Sequence, residues 1–382
     1  MVARSHRRSL RSRRAAVVCA AVVAAGVGAG VFVMNADAGT VDLYHQTLPA
    51  KDGRASSGTG TTGGTKADAA HTFTVSTRAQ VVKALGSVSD TTPRVIKVNG
   101  MIDASTDDSG RKLTCADYAL GTGHSLSAYL KAYDPATYGR AKLPSGAQET
   151  ARAVARAEQS KNIVLEVPAN TTIVGVPGTN AGLTGAMLQI QNVDDVIVRN
   201  LTFAATEDCF PQGDPTDGAD GNWDSAHDSV FLRGATHVWA DHNTFTDAPH
   251  FDGANPKYFG REYQIHLYDN YYDVTPLNGY APQYSINSRA RAQVVAENNH
   301  WRLPSGAKAA KLLSGDGTGS VKGSGDLVNG TVTDLVAAYN AASSKDLRTT
   351  VDWTPTLTTG LEASAGDLPT SLATTTGAGV LK

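Results

Sequence analysis

The sequence predicts an all-β fold, a right-handed parallel β-helix, mainly because one phrase of eight residues recurs along it. The phrase combines alternating apolar residues, an Asn or His, and a final aromatic residue. Because it returns after a whole coil and not after a hairpin turn, equivalent residues should lie above one another in a stack. The four copies are VIVRNLTF, VWADHNTF, IHLYDNYY and VVAENNHW, beginning at Val196, Val238, Ile265 and Val294.

Two columns of side chains are expected inside such a stack. In the first, amide side chains should hydrogen-bond from coil to coil; its positions are Leu201, Asn243, Asn270 and Asn299. In the second, aromatic rings should stack; its positions are Phe203, Phe245, Tyr272 and Trp301. We therefore interpret these residues, together with His242, as scaffold and not as an active site.

The regions outside the repeat are expected to protect the ends and sides of the stack. A solenoid must cover its terminal coils, and a helix predicted from about Ala147 to Lys161 is placed to cap the first one. The Ser-, Thr- and Gly-rich C-terminal segment, with a helix at DLVAAYNAAS, should pack along the stack. These features define a single β-helix domain over residues 72–382.

The N-terminal region has a different composition. An Arg-rich start, an Ala- and Gly-rich apolar run and the cleavage pattern Ala36-Asp37-Ala38 predict a signal peptide over residues 1–38, with a retained membrane anchor as the alternative. Arg13-Arg14 is compatible with a twin-arginine signal, so the export route stays open. Residues 39–71 are rich in Gly, Ser and Thr and predict a flexible linker.

The overall charge of the chain indicates which kinds of partner to expect. The 382 residues carry a formal net charge of −2, so nothing favours binding to nucleic acid, or to a membrane after signal removal. We expect a secreted, extracellular monomer. Signal removal would leave Cys115 and Cys209, which either form a disulfide in an oxidising compartment or remain buried thiols.

The stretch from Glu207 to Phe245, which contains DPTDG and VWADHNTF, closely resembles the extracellular pectate lyases of polysaccharide lyase family 1. KVNGMID, YLKAYDP, VPANTTIVG and the late VDWTP agree with the same family. The resemblance covers most of the chain from Thr72 onward. It implies a right-handed parallel β-helix, polygalacturonate or pectin as substrate, and calcium-dependent β-elimination as the reaction.

The resemblance also implies a site. In the family, calcium is held by about three Asp carboxylates, and an Arg removes the proton. Asp228 in HDSVF matches the first calcium-binding Asp, although an Asp before a strand is by itself more often a turn residue. Asp220 and Asp224 are weaker metal candidates, in an acidic run that we interpret mainly as turns. The other acidic residues of this run are Asp208, Asp214 and Asp217.

One junction departs from the family pattern. YFGREYQ, from Tyr258 to Gln264, is followed directly by IHLYDNYY, which in the family comes several coils later. We therefore predict an internal deletion of about two coils at Gln264–Ile265. It would remove the remaining Asp pair, the substrate-binding Lys and the catalytic Arg segment together, while a solenoid could still fold because each coil contacts only its neighbours.

Four basic residues are possible substitutes for the missing Arg. Lys257 and Arg261 precede the junction, and Arg289 and Arg291 stand where the family usually has small residues. Each is more simply a solvated surface charge. We therefore expect a pectate lyase family protein with reduced or absent activity; the alternatives are a non-catalytic pectate-binding protein and an inactive relic.

Overall fold

The structure is a solenoid of parallel β-strands arranged in two stacks of coils. The computed structural model describes residues 42–204, 206–216, 221–246, 258–261, 264–274, 284–289, 291–355, 361–375 and 381. In both stacks, equivalent strands of successive coils pair in parallel and in register. The fold is the predicted right-handed parallel β-helix.

The first stack has three columns of strands, which we call A, B and C. Column A contains β1 (Thr72–Val75), β2 (Arg94–Val98), β5 (Thr171–Gly175), β8 (Asp194–Arg199) and β13 (Thr236–Asp241). Column B contains β4 (Val164–Glu166), β7 (Met187–Gln191) and β12 (Val230–Arg233). Column C contains β3 (Met101–Asp103), β6 (Gly182–Thr184), β9 (Thr202–Ala204) and β14 (Thr244–Thr246). An antiparallel hairpin of β10 (Gln212–Asp214) and β11 (Asn222–Asp224) precedes β12.

The second stack repeats this arrangement in columns A′, B′ and C′. Column A′ contains β16 (Gln264–Tyr268), β19 (Gln293–Glu297) and β22 (Ser320–Ser324). Column B′ contains β15 (Tyr258–Arg261), β18 (Ile286–Arg289) and β21 (Leu313–Gly315). Column C′ contains β17 (Tyr271–Asp273), β20 (His300–Arg302) and β23 (Leu327–Val328), to which β24 (Thr331–Val332) adds antiparallel.

The repeated phrases pair as predicted within each stack but not between the stacks. Val238 pairs with Val196 in column A, and Ile265 pairs with Val294 in column A′. Val294 also pairs with Val321, so a fifth copy begins at Val321 that the sequence did not reveal. The prediction of one continuous stack is wrong between Val238 and Ile265, because no described pairing joins their strands.

All three columns are interrupted at this same place. Within the part of the chain that the structure describes, β12, β13 and β14 end the first stack and β15, β16 and β17 begin the second. Phe245 is 37% exposed, whereas Phe203, its partner one coil earlier, is 1% exposed. Leu232 is 44% exposed, whereas its partner Ile190 is fully buried. The last coil of the first stack therefore lacks the cover that its neighbour has.

The aromatic column is confirmed inside each stack. The rings of Phe203 and Phe245 stack with centroids 5.0 Å apart, and those of Tyr272 and Trp301 stack at 4.7 Å. Both pairs are close to parallel, with interplanar angles of 14° and 4°.

The amide column is also present in both stacks, in different forms. In the first stack, the Leu201 backbone N–H donates to Asn243 Oδ1 at 3.1 Å. In the second, Asn270 Nδ2 donates to Asn299 Oδ1 at 2.8 Å, and Asn299 Nδ2 donates to Asp326 Oδ1 at 2.9 Å. The row of hydrogen-bonded amides thus ends in the fifth copy on the buried carboxyl group of Asp326, which the sequence did not indicate.

Within the described ranges, seven α-helices flank the strands. They are α1 (Arg78–Leu85), α2 (Cys115–Ala119), α3 (Leu126–Ala132), α4 (Pro135–Tyr138), α5 (Ala147–Ile163), α6 (Leu335–Asn340) and α7 (Leu368–Thr375). The first coil is covered by α1, whose Val81, Ala84 and Leu85 join the core of the first stack. The predicted cap, α5, instead packs against α2 and α3, because its buried Ala155 meets an apolar cluster outside the stack.

The segment predicted as a flexible linker is packed from Asp42 onward, so that prediction is wrong for residues 42–71. Leu43 is buried against Val95 and Val174 of column A. Asp195 accepts hydrogen bonds of 2.6 Å from the Thr62 N–H, the Thr62 hydroxyl and the Gly63 N–H. These bonds hold a chain that has few apolar side chains of its own. Asp42–Lys382 forms one compact unit, and the predicted signal peptide lies outside the described residues.

The C-terminal segment packs along the second stack, as expected. The Glu362 N–H donates to Asp269 Oδ2 at 2.8 Å, and Asn298 Nδ2 donates to the Glu362 carbonyl at 2.7 Å. Leu335 and Val336 of α6 are buried in the core of the same stack.

Cys115 and Cys209 form a disulfide, which settles the alternative that the sequence left open. The bond ties α2 to the segment that follows β9, across 94 residues of sequence. None of the helices in the described ranges has both the length and the apolar character needed to cross a bilayer.

Candidate functional site

The segment before β12 holds the residue with the clearest family match, Asp228. Its neighbour His227 is buried, and His227 Nε2 lies 2.9 Å from the Ser160 hydroxyl of α5. Burial lowers the pKa of His227, so this anchor is neutral near pH 7. Asp228 itself is exposed at the surface, two residues before β12, the last described strand of column B.

The β10–β11 hairpin carries the second metal candidate, Asp224, and rests on the helices. The Gly213 N–H donates to the Tyr129 hydroxyl at 3.3 Å, and the Trp223 ring lies 6.0 Å from the Tyr129 ring. The Tyr129 hydroxyl donates to Glu149 of α5 at 2.9 Å. This chain of contacts fixes the hairpin, and Asp224 is exposed at its end.

Two members of the acidic run are turn residues, as we interpreted them. Asp208 accepts hydrogen bonds from the backbone N–H groups of Phe210 and Ala226. Asp214 accepts from the N–H and the hydroxyl of Thr216. Asp217 and the metal candidate Asp220 lie outside the described residues.

Tyr284, which sequence reasoning missed, is a group on which three candidate residues, Arg289, Asp228 and Asp224, act electrostatically. Burial raises the pKa of Tyr284, a hydrogen bond with Asn287 and the charge of Arg289 oppose this, and the carboxylates of Asp228 and Asp224 add to it. Tyr284 stands two residues before β18, as Asp228 stands two residues before β12. The signal that could have indicated Tyr284 is its position two residues before a strand, which matches the position of Asp228.

Of the two proposed substitutes whose side chains the structure describes, Arg289 and Arg291, it is Arg289 that acts on Tyr284. Arg289 is exposed at the end of β18, and its Nε donates to Asn287 Oδ1 at 3.0 Å. The backbone of Arg261 in β15 pairs in register with that of Arg289. Arg291 occupies a turn with φ of 61°, and Lys257 lies outside the described residues.

The described residues do not fit a calcium site of three carboxylates around Asp228. The one group of at least three Asp, Glu, His or Cys residues found there with converging ligand atoms is Cys115, Glu207 and Cys209. Its two sulfur atoms form the disulfide and are therefore not thiolate ligands. Asp228 and Asp224 remain as two carboxylates near Tyr284, fewer oxygen ligands than calcium requires.

Comparison with known proteins supplies the family. A family model described as pectate lyase matches residues 144–261 and so ends three residues before Gln264. The pectate lyase of Bacillus subtilis is 37% identical over an alignment of 399 residues that covers 86% of this chain and 92% of that protein. Pectate lyase D of Dickeya chrysanthemi is 28% identical over 64% of this chain and 50% of that protein.

A solved structure agrees with these matches. A pectate lyase bound to a hexasaccharide has a TM-score of 0.74 and 34% identity to this chain, covering 89% of this chain and 100% of that one. The shared solenoid and the identity to the Bacillus subtilis protein over most of both chains show that this chain belongs to the pectate lyase family.

Proposed function

We propose that this protein binds polygalacturonate and has reduced or absent lyase activity. The observation that carries the proposal is that the described residues bring no three carboxylates together around Asp228. The resemblance implies that the other calcium ligands and the catalytic Arg segment are missing after Gln264, beyond β15. The groups that remain nearby are Asp228, Asp224, Tyr284 and Arg289.

The length of the alignment supports a deletion. The match to the Bacillus subtilis protein spans 399 positions, whereas 86% of 382 residues is about 329, so about 70 positions have no counterpart in this chain. Paired residues of β15 and β18 are 28 apart, and those of β16 and β19 are 29 apart. The shortfall is therefore large enough to contain two coils.

The chemistry explains why activity should fall. Abstraction of a proton next to a carboxylate needs that carboxylate neutralised and a base placed at the proton. Calcium would supply the neutralisation in this family, but the described residues do not assemble its site. A positioned general base contributes about 10²- to 10⁴-fold, so its loss alone removes most turnover.

An extracellular location is part of the proposal. The N-terminal 38 residues have the pattern of a signal peptide. The Cys115–Cys209 disulfide supports an oxidising compartment. N-terminal sequencing of the protein recovered from the culture medium of its producer should begin after Ala38; recovery of the uncleaved chain in the membrane fraction would contradict this.

An ultraviolet assay tests the proposal. Unsaturated uronides formed from polygalacturonate are followed by absorbance with calcium or with a chelator, and the Bacillus subtilis pectate lyase serves as the positive control. We expect a calcium-dependent rate at least about 100-fold below that control. A rate equal to the control would contradict the proposal.

Binding is measured separately, by migration through a native gel that contains polygalacturonate. Retarded migration without absorbance gain supports a binding protein. Absence of both binding and turnover would overturn the proposed function and leave the inactive relic.

A further inference from the structure

The Cys115–Cys209 disulfide lies beside a carboxylate and an open cavity at the surface. Glu207 Oε1 is 3.9 Å from Cys115 Sγ, and the two sulfur atoms and a carboxylate oxygen of Glu207 all lie within 4.8 Å of one another. Both cysteines are partly exposed and Glu207 is exposed, so solvent reaches all three side chains. The adjoining cavity has a volume of about 50 Å³, which is large enough for a water molecule.

Gln159 of α5 holds Glu207 and Cys209 in place independently of the disulfide. Its Nε2 donates to the Glu207 carbonyl at 2.7 Å, and its Oε1 accepts from the Cys209 N–H at 3.0 Å. Gln159 is only 2% exposed, so water does not compete for these two hydrogen bonds. The intervening Asp208 accepts from two further backbone N–H groups. The backbone that carries Glu207 and Cys209 is therefore fixed by hydrogen bonds of its own.

The helix that carries Cys115 is anchored to α5 as well. Tyr118, one turn further along α2, is buried, and its hydroxyl accepts a hydrogen bond from Asn162 Nδ2 of α5 at 3.0 Å. Thr114 and Asp117 close the start of α2 with reciprocal hydrogen bonds. Because α5 holds both segments, Cys115, Cys209 and Glu207 should stay close together when the bond between the two sulfur atoms is opened.

Reduction of the disulfide creates a set of ligands that suits zinc. A dithiol reductant exchanges with the disulfide: its two sulfur atoms form a new disulfide, and its two thiol hydrogens pass to Cys115 and Cys209. Zn²⁺ then displaces both thiol protons into solvent, because the thiolate is the ligand. Two thiolates bound to one tetrahedral zinc ion are about 3.8 Å apart, since each Zn–S bond is about 2.3 Å long. Ligand atoms that lie within 4.8 Å of one another reach this spacing by side-chain rotation.

We infer that Cys115, Cys209 and Glu207 form a zinc site once their disulfide is reduced. A water molecule from the adjoining cavity takes the fourth position of the tetrahedron. Calcium does not compete for the site, because calcium requires six to eight oxygen ligands. The metal replaces the disulfide as the link between α2 and the segment after β9. The inference therefore goes beyond the proposed function and does not depend on binding to polygalacturonate.

Zinc titration of the full chain tests the site, in a Cys19→Ser background that leaves Cys115 and Cys209 as the only cysteines. The chain is reduced with dithiothreitol, which is removed under exclusion of oxygen before Zn²⁺ is added. Calorimetry in two buffers of different ionisation enthalpy should show one Zn²⁺ bound per reduced chain and release of about two protons. The reduced chain should bind Zn²⁺ at least about 100-fold more tightly than the disulfide form does. Zn²⁺ should also raise the melting temperature of the reduced chain.

Three variants distinguish the ligands from their surroundings. Cys115→Ser/Cys209→Ser lacks both the disulfide and the thiolates, and it should bind Zn²⁺ no better than the disulfide form. Glu207→Gln keeps the size of the side chain but loses the carboxylate, and it should raise the Kd of the reduced chain about tenfold or more. Glu158→Gln is the matched control, because it removes a carboxylate of α5 that pairs with Lys161; it should change Kd less than twofold.

Equal zinc affinity of the reduced and disulfide forms would overturn the site, and so would tight binding by the double serine variant. An unchanged Kd in Glu207→Gln would exclude the carboxylate ligand, and with it the three-residue site. Circular dichroism of the reduced chain before zinc is added checks that the fold is retained. Loss of the native spectrum would mean that the framework around Gln159 depends on the disulfide, which also overturns the inference.

Discussion

Two neighbouring coils of the first stack carry similar side chains in very different surroundings. The coil that contains β7, β8 and β9 has paired strands on both sides, and its Ile190 and Phe203 are at most 1% exposed. Among the described strands, the next coil has a paired neighbour on one side only, and its Leu232 and Phe245 are 44% and 37% exposed. In a solenoid, the same phrase therefore forms a core or an open end according to what lies above it.

The uncovered coil lies close in sequence to the candidate site. A coil can be lost without loss of the coils on either side, because contacts are limited to neighbours. The uncovered coil starts just after Asp228 and ends with β14 at Thr246, one strand before the predicted deletion at Gln264–Ile265. The interruption that opens the core and the proposed loss of the site segment therefore lie on opposite sides of β15.

Truncation of the two stacked phenylalanines should show the largest difference. Phe203→Ala removes a ring enclosed on both faces and should lower the free energy of unfolding by about 3–5 kcal/mol. Phe245→Ala removes a ring covered on one face and should cost about 1–2 kcal/mol. Denaturant unfolding of the two variants measures both values; equal losses would show that Phe245 is covered in solution.

The next prediction concerns the second stack, whose stability should depend on pH through the buried Asp326. Burial raises the pKa of Asp326 in the second stack from 3.8 to about 7, partly offset by two hydrogen bonds from Asn299. The folded state therefore binds this proton more tightly than the unfolded state does. Stability should fall as pH rises from about 4 to 7 and should then level off.

Asp326→Asn removes this dependence and extends the amide ladder from Asn299. The variant should be more stable than the native chain by roughly 2–4 kcal/mol above pH 7, and the difference should vanish near pH 4. Melting temperature between pH 4 and 9 is the measurement. A constant difference across this range would show that Asp326 does not titrate as argued.

A smaller effect is expected at the strap of residues 42–71, which contacts both stacks. Asp195 anchors it to column A, and the Tyr268 hydroxyl in column A′ donates to Asp52 at 3.2 Å. Asp195→Asn keeps a residue that tolerates the φ of 66° but loses the negative charge. We expect a loss of about 1–3 kcal/mol and faster proteolysis within the strap. Unchanged cleavage would contradict the anchoring role.

The smallest effect should come from a charge at the open end. Leu232→Lys should cost less than about 1 kcal/mol, because a lysine at a half-exposed position extends its ammonium group into water. Ile190→Lys, one coil earlier, places the same group in a closed core and should prevent folding at ordinary expression temperature. Comparable soluble yields of the two variants would remove the distinction between the coils.

The sequence predicted those features that repeat. The aromatic column and the pairing of Val196 with Val238 followed from the spacing of the phrases. Asp326 was missed because a lone Asp in a Gly-rich stretch has the character of a turn. The strap was missed because hydrogen bonds from its backbone to Asp195 hold it, and composition does not record such bonds.

The candidate site was less predictable for physical reasons. Asp228 was predicted from the family match. The electrostatic effect of Asp228 on Tyr284 could not be predicted, because the two residues precede strands of different columns, β12 and β18. Two cysteines allowed pairing without requiring it, and the fold brought Cys115 and Cys209 together. The role of α5 was misjudged because an amphipathic pattern identifies a buried face but not the element that buries it.

Hydrogen–deuterium exchange tests the interruption of the columns most directly. Amides of β7, β8 and β9 have paired strands on both sides, whereas β12, β13 and β14 have them on one side. We predict slow exchange throughout the first set and fast exchange for about half of the amides in the second. Uniformly slow exchange in β12, β13 and β14 would mean that the stack continues across the junction, and would contradict the account.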